Sequence, residues 1–90
     1  MADVRYRIVV ARSAQKQLFK LPIKVGEELN RVIASLSENP RPVGYKKLVE
    51  RGAYRVRSGQ YRIVYEIDDE VVTVHVIAVG HRKDIYRMLK

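Results

Sequence analysis

The spacing of apolar residues changes halfway along the chain, and this change limits the folds that the chain can adopt. Between residues 11 and 36, apolar side chains recur every three or four positions, which is the period of an amphipathic helix. Over residues 54–67 they alternate with polar ones, as in a strand with one buried face. Helices followed by consecutive strands predict an α+β domain in which the helices cover one face of an antiparallel sheet.

The first half of the chain is predicted to hold one strand and two helices. Residues 5–10 are rich in β-branched and aromatic side chains, which favour a strand. Ser13 is the predicted N-cap of the first helix, and Pro22 separates this helix from the second. Because the joint is short, the two helices are predicted to form a helical hairpin. Their apolar stripes are Ala11, Ala14, Leu18 and Leu21 in the first helix, and Val25, Leu29, Val32, Ile33 and Leu36 in the second.

The second half is predicted to hold three strands and a short final helix. Residues 43–53 have weak periodicity and two glycines, so they are predicted to form a loop. Residues 71–79 are almost continuously apolar, which suits a central strand that is buried on both faces. Residues 84–89 are predicted to form one or two helical turns. The predicted order is strand, two helices, a three-stranded antiparallel meander and a short helix.

The two strands before the central strand form a predicted hairpin with an unusual charge pattern. A two-residue turn at Ser58-Gly59 places Arg55 directly opposite Arg62, with Arg57 as a diagonal neighbour. Like charges in opposite positions destabilise a sheet, by about 0.2–1 kcal/mol per pair. A single exposed arginine is ordinarily just solvated, but several on one small patch indicate a bound polyanion. Two further residues, Arg82 and Tyr86, follow the central strand and add to this patch.

Composition limits the class of protein and its partners. The 90 residues fit one domain, residues 1–90. Lys and Arg number 18 against 10 Asp and Glu, a net charge of +8 that favours a polyanionic partner such as nucleic acid. The absence of cysteine excludes disulfides and thiolate metal sites. Because no signal peptide or membrane span is recognisable, the chain is expected to be cytoplasmic and to have no membrane partner.

Other catalytic and binding motifs are absent from the sequence. His75 and His81 are too few and wrongly spaced for a metal cage, and a solvated turn explains the acidic residues 68–70. No serine has a neighbouring histidine that indicates a nucleophile and its base. No glycine-rich phosphate loop is present. We therefore expect no metal and no small-molecule cofactor.

Two segments resemble the RelE/ParE toxin superfamily: residues 53–67, AYRVRSGQYRIVYEI, and residues 79–87, VGHRKDIYR. The acidic turn and the valine-rich strand between them are also similar to that family. The resemblance covers essentially the whole chain, including the N-terminal strand and the helical hairpin. It implies a RelE-like fold in which a helical hairpin packs on one face of a small sheet, while a basic cleft forms on the other face.

The resemblance also implies an activity, that of the RelE branch. Such a toxin of a type II toxin–antitoxin system enters the ribosomal acceptor site and cleaves messenger RNA by attack of a ribose 2′-hydroxyl on the adjacent phosphate, without a metal. The implied partners are the ribosome, messenger RNA and a RelB-like antitoxin that folds on binding. A preorganised set of cations suits this reaction, because charge accumulates on the phosphate oxygens in the transition state.

Matching positions assign roles to individual residues. The resemblance implies that the catalytic residues are Arg55, Arg57, Arg62, Arg82 and Tyr86, and that weaker RNA contacts come from Lys46, Lys47, Arg51, His81 and Lys83. The best-known member of the family has lysines where this chain has Arg55 and Arg57. Since an arginine essentially cannot lose its proton, the general base is not obvious. Either the arginines only activate the hydroxyl electrostatically, or proton transfer is borrowed from Tyr86, His81 or the ribosome.

Two other functions remain open. Members of the ParE branch resemble this fold but poison DNA gyrase without cutting RNA. That branch generally lacks the full set of basic residues and the late tyrosine, so the ribonuclease is the preferred prediction. The other alternative is a non-catalytic nucleic-acid-binding or corepressor module, which is expected not to stop growth when it is expressed alone.

Overall fold

The computed structural model describes residues 4–89, except for the side chain of Glu50, and has the predicted α+β architecture. A five-stranded sheet has the strand order β1-β5-β4-β3-β2, with β1 parallel to β5 and all other neighbours antiparallel. The elements are β1 (Arg7–Val10), α1 (Arg12–Lys20), α2 (Ile23–Ser35), β2 (Lys46–Leu48), a 3₁₀ turn (Val49–Arg51), β3 (Ala53–Ser58), β4 (Tyr61–Asp68), β5 (Thr73–His81) and α3 (Ile85–Met88). None of these helices is long and apolar enough to cross a membrane.

The helical hairpin covers one face of the sheet, as predicted. Its apolar stripes meet the inward side chains of β3, β4 and β5 in the main core. The central strand β5 is buried over most of its length, because β1 and β4 flank it and side chains pack on both faces. The buried members of this core are Ala14, Leu29, Ile33, Leu36, Val56, Ile63, Tyr65, Val74, Val76 and Val79.

The predicted N-cap of the first helix is wrong. Ala11, not Ser13, occupies the N-cap position, and no side chain there bonds to the helix backbone. The physical reason lies in the sheet, because the Ala11 amide donates to the carbonyl of Val76 at 2.8 Å and holds residue 11 extended. The helix therefore begins at the next residue, Arg12.

The segment predicted to be a loop, residues 43–53, contains a fifth strand. Lys46–Leu48 pairs antiparallel with β3, and a 3₁₀ turn leads from it into that strand. A strand of three residues is too short to show a period, so sequence pattern alone does not reveal it. It forms because β3 offers a free edge to which the chain can pair.

The central strand runs over Thr73–His81, two residues later than predicted. The Asp68 side chain explains the shift, since its Oδ1 accepts the backbone N–H groups of Glu70 and Val71 at 3.0 and 3.1 Å. These bonds hold the apolar residues 71–72 in the turn rather than in the strand. Apolar composition was therefore misleading at this boundary.

The predicted hairpin register is wrong by two residues. Ser58 pairs with Tyr61, so the turn consists of Gly59 and Gln60, and Gly59 adopts a φ of +58°. Glycine tolerates this conformation, which the first position of such a turn favours. Because side chains alternate with a period of two, a slip of two residues leaves every side chain on its predicted face. Arg57, rather than Arg55, lies opposite Arg62.

Helix α3 covers part of the other face of the sheet. Ile85 is fully buried there against Ala53, Val64 and Ala78. Gly80 lies directly beneath the helix, because a Cβ at this position would lie 2.8 Å from the sulfur of Met88. The close approach of α3 to β5 fixes the position of the residues that follow the central strand.

An ion pair and a hydrogen bond connect the β4–β5 turn to the segments that flank the helical hairpin. Asp69 accepts a hydrogen bond from the Tyr6 hydroxyl at 2.7 Å and pairs with Arg41, with 3.0 Å between Nη2 and Oδ2. The hydrogen bonds from Arg41 and Tyr6 hold the pKa of the Asp69 carboxyl below its ordinary value. The ionised carboxylate therefore stabilises the folded state.

Asp69→Asn is expected to lower the melting temperature at pH 7. The depressed pKa means that this stabilisation is present above the carboxyl's ordinary pKa, about 4, and is lost as the pH falls through the lower folded-state value. Thermal denaturation at pH 7 and at pH 3 measures the difference in melting temperature between wild type and the variant. We expect this difference to be smaller at pH 3. The control is Glu66→Gln, an exposed carboxyl for which the structure shows no ion pair with a described residue. A melting-temperature difference between wild type and Asp69→Asn that is equal at both pH values would contradict this role of Asp69.

Candidate functional site

A cationic pocket lies on the sheet face opposite the helical hairpin. It has a volume of about 530 Å³. The side chains that line it are Arg55, Arg57, Arg62, Arg82, Lys83 and Tyr86. All five residues that the sequence predicts to be catalytic are therefore brought together, although their separation in the chain reaches 31 positions. We call this feature the arginine pocket.

The strand pairing explains how these residues come together. Arg55 and Arg57 alternate along β3 on the face away from the hairpin, and Arg62 lies beside them on β4. The β5 partner of Arg62 is Gly80, whose lack of a side chain lets Met88 of helix α3 lie directly against the strand. The Arg82 amide donates to the carbonyl of Gln60 at 2.7 Å, which holds the segment after β5 against the hairpin turn.

Arg55 is buried, which the sequence does not predict. Its side chain and backbone together are only 7% exposed. Two of its guanidinium nitrogens, Nε and Nη1, are buried and have no hydrogen-bond partner among the described residues. A buried donor without an acceptor destabilises a fold, and a charged one does so more strongly. The pocket thus contains a cation with two unpartnered donor nitrogens.

Arg62 is surrounded by other cations. Its Nη1 donates to the carbonyl oxygens of Tyr61 and Gly59, at 3.0 and 3.2 Å. Burial and the positive charges of Arg55, Arg57 and Arg82 lower the pKa of Arg62 from its ordinary value. An arginine remains charged at any accessible pH, so the repulsion persists instead of being relieved by deprotonation.

No carboxylate lines the arginine pocket, so nothing in the described part of the chain neutralises it. Glu66, which the sequence places on the same face, lines a separate acidic depression near the β4–β5 turn. The ion pairs between described residues all lie elsewhere: Arg5 with Glu38, Arg31 with Glu28, and Arg41 with Asp69. Four guanidinium groups that converge without a lining carboxylate are chemically suited to bind an anion.

The other predicted RNA-binding residues take different positions. Lys47 and Arg51 line an adjoining depression of about 320 Å³ that shares Tyr86 with the arginine pocket. Lys46 pairs with Arg55 in the ladder and is exposed, but it lines neither depression. His81 lies outside the pocket, with its ring centroid 5.7 Å from that of Tyr61 and its Nδ1 accepting the Lys83 amide.

The position of His81 bears on proton transfer. His81 pairs with Tyr61 in the β4–β5 ladder, whereas Arg62 pairs with Gly80, so alternation places His81 on the helix-covered face. The titratable groups that do line the pocket are Lys83 and Tyr86, of which Tyr86 is 50% exposed. Within residues 4–89, no group of three or more His, Cys, Asp or Glu residues is placed to hold a metal ion.

Known protein families and sequences that are similar to this chain are toxins. A family model described as the ParE toxin of the type II toxin–antitoxin system parDE matches residues 8–86. Toxin RelG of Mycobacterium tuberculosis is 37% identical over 84 residues, which cover 91% of this chain and 97% of RelG. The mRNA interferase toxin RelE of Escherichia coli is 38% identical over 72 residues, which cover 78% of this chain and 76% of RelE.

Solved structures show the same similarity. The chain matches the RelBE2 toxin–antitoxin complex of Mycobacterium tuberculosis with a TM-score of 0.79 and 33% identity, covering 88% of this chain and 100% of the matched one. It matches the isolated Escherichia coli RelE toxin with a TM-score of 0.74 and 32% identity, covering 84% and 83% of the two chains. These matches agree with the sheet and hairpin described above.

Proposed function

The chain belongs to the RelE/ParE superfamily of toxins from type II toxin–antitoxin systems, and we propose from this premise that it is a ribosome-dependent endoribonuclease that cleaves messenger RNA in the ribosomal acceptor site. The observation that carries the proposal is the arginine pocket with its buried, unpartnered Arg55. A phosphodiester supplies the negative charge and the acceptor oxygens that the pocket lacks. This activity implies that the toxin acts in the cytoplasm, where ribosomes are.

The proposed reaction is an internal transfer at one phosphate. The ribose 2′-oxygen forms a bond to phosphorus, and the bond from phosphorus to the 5′-oxygen of the next nucleotide breaks. The products are a 2′,3′-cyclic phosphate and a free 5′-hydroxyl, so the proton lost from the 2′-hydroxyl is balanced by one gained at the 5′-oxygen. Arg55 and Arg62 donate to the nonbridging oxygens, where charge accumulates in the transition state.

Proton transfer is assigned to Tyr86, with the ribosome as the alternative source. The four arginines cannot exchange a proton and His81 lies outside the pocket, which leaves Lys83 and Tyr86 among the lining side chains. Tyr86 is preferred because it matches the late tyrosine of the family. Tyr86 carries a hydroxyl on helix α3, half exposed at the pocket, so it can reach a bound ribose or the leaving oxygen. Lys47 and Arg51, in the adjoining depression, extend the path of the RNA backbone beyond the cleaved phosphate.

The proposed regulator is a RelB-like antitoxin that folds on binding. Solved structures similar to this chain include the intact Escherichia coli RelBE toxin–antitoxin complex, one chain of which matches this chain with a TM-score of 0.73 and 35% identity. The uncompensated positive charge of the pocket suits an antitoxin segment with acidic side chains. Arg62→Gln is expected to weaken antitoxin binding if that segment occupies the pocket, and an unchanged affinity would exclude direct occupancy.

The second candidate function is inhibition of DNA gyrase, because the matching family model is described as a ParE toxin. Two purified assays separate the candidates: synthesis of a reporter in a reconstituted translation system, and supercoiling of a relaxed plasmid by gyrase. The proposal predicts that the toxin stops translation and leaves supercoiling unchanged. Inhibited supercoiling with intact messenger would overturn it. Inactivity in both assays, without growth arrest in cells, would favour the non-catalytic alternative.

A further inference from the structure

A second cationic surface lies on the outward side of helix α1, away from the arginine pocket. Arg12, Lys16 and Lys20 are all exposed and follow one another at intervals of four residues. At about 100° per residue, they cover an arc of roughly 80° on the side opposite the buried Ala14. Phe19 falls on the same side and is 90% exposed. We call these four residues the α1 ridge.

The α1 ridge departs from the local rules of helix stability at its N-terminal end and in its spacing. Arg12 places a positive charge in the first turn, where the helix dipole favours a negative one, and no side chain caps that end, whereas Lys20 in the last turn has the sign that the dipole favours. Like charges four residues apart destabilise a helix further. Helix α1 contains no acidic residue, and none of the three cations pairs with a described carboxylate. Local rules broken without a compensating contact mark a functional surface.

The chemistry of the ridge favours RNA over other partners. With a rise of 1.5 Å per residue, successive cations lie about 6 Å apart along the helix, and such a row of exposed cations is suited to neutralise the regularly spaced phosphates of a nucleic-acid backbone. An exposed aromatic ring among cations is an arrangement that stacks on unpaired bases. A membrane surface is disfavoured, since the apolar stripe of α1 faces the core instead of solvent.

We propose that the α1 ridge is a second RNA-binding surface, which holds the backbone of a folded RNA through Arg12, Lys16 and Lys20 while Phe19 stacks on an unpaired base. It lies on the opposite face of the sheet from the arginine pocket, in a molecule only 24 Å thick in its shortest dimension. The toxin therefore has cations on both sides and can lie between two RNA segments. This surface binds whether or not the pocket cleaves.

The test is the salt dependence of binding to a fluorescent RNA hairpin with a single-stranded loop. The variant is Arg12→Gln/Lys16→Gln/Lys20→Gln. Its matched control, Arg7→Gln/Lys24→Gln/Arg87→Gln, removes three exposed cations elsewhere that form no ion pair with a described residue, and it changes the net charge equally. We expect the slope of log affinity against log salt to fall by about 2–3 in the ridge variant, since each phosphate contact contributes about 0.7–0.9. In the control, we expect the decrease in this slope to be less than half of the decrease in the ridge variant.

A second variant tests the aromatic contact. Phe19→Leu keeps an apolar side chain but removes the ring, and it is expected to weaken hairpin binding by about fivefold or more. Equal slopes in the ridge variant and the charge-matched control would overturn the proposal, because net charge alone would then explain binding. Binding to polyglutamate, which mimics an acidic protein, is measured with the same variants. If the ridge variant loses polyglutamate binding but retains RNA binding, the proposal is overturned in favour of an acidic protein partner. Neither outcome depends on cleavage of RNA. The ribonuclease proposal is tested by the cleavage assays alone, so either proposal can fail without the other.

Discussion

Arg55→Met is expected to make the protein more stable and to abolish its activity. The wild-type arginine is 7% exposed as a whole residue, has two unpartnered guanidinium nitrogens and lies among three other arginines. Methionine fills a similar space with a flexible apolar side chain and leaves no donor unsatisfied. We expect the free energy of unfolding to rise by about 1–3 kcal/mol, the penalty that a buried unsatisfied donor typically carries. Urea denaturation measures the change.

The control for this prediction is Arg57→Met on the same strand. Arg57 is exposed, so its replacement should change the free energy of unfolding by no more than about 0.5 kcal/mol. A destabilised Arg55→Met would show that the guanidinium supports the fold instead of serving a ligand. Full activity in a stabilised variant would show that the burial of Arg55 has no part in the reaction.

Arg62→Gln is expected to lower the rate of messenger cleavage by about 100- to 1,000-fold, the typical loss when one preorganised transition-state donor is removed. Glutamine keeps a hydrogen-bonding side chain but removes the positive charge and the two-pronged donor geometry. Arg62 already bonds to two carbonyl oxygens of the hairpin turn, which fixes its direction before substrate arrives. Single-turnover cleavage on messenger-loaded ribosomes measures the chemical step separately from binding.

The matched control is Arg87→Gln on helix α3. Arg87 is exposed and does not line the arginine pocket, although it follows the pocket residue Tyr86 directly. Its replacement lowers the net charge equally and should leave the single-turnover rate within about threefold of wild type. Equal losses in both variants would attribute the effect to overall charge and not to the pocket.

The sequence predicted the faces of the sheet better than its pairing. Alternation along residues 54–67 placed Arg55, Arg57 and Arg62 on one side, and the structure confirms this placement. It did not locate the turn, because slipping the hairpin by two residues preserves the same alternation. The turn that forms has Gly59 in its first position with a positive φ, but a glycine at position 59 suits either turn, so its presence in the sequence does not choose between the two registers.

The burial of Arg55 was beyond sequence reasoning, because it depends on elements that are distant in the chain. Helix α3 and the three-residue strand β2 border that side of the sheet, and neither has a period long enough to predict its packing. Sequence reasoning also misplaced His81. It is next to the pocket residue Arg82 in the chain, but the alternation of side chains along β5 directs it to the opposite face of the sheet. The site's residue types were readable from the sequence, whereas their exposure required the fold.

The resemblance to RelE and ParE toxins resolved the fold but not the choice between RNA cleavage and gyrase inhibition. The family model carries the ParE description, whereas the RelE of Escherichia coli is named an mRNA interferase. The fold is shared, so it does not discriminate. The arginine pocket is the feature that favours cleavage, because its charges match a phosphodiester and its lining includes a tyrosine for proton transfer.

The most direct test of the arginine pocket as a cleavage site is primer extension on a defined messenger in a purified translation system, with and without ribosomes. Wild type is compared with Arg82→Ala, which removes a pocket cation from the segment after β5. We predict cuts within acceptor-site codons that require ribosomes and disappear in the variant. An intact messenger with wild type, or equal cutting by the variant, would contradict it.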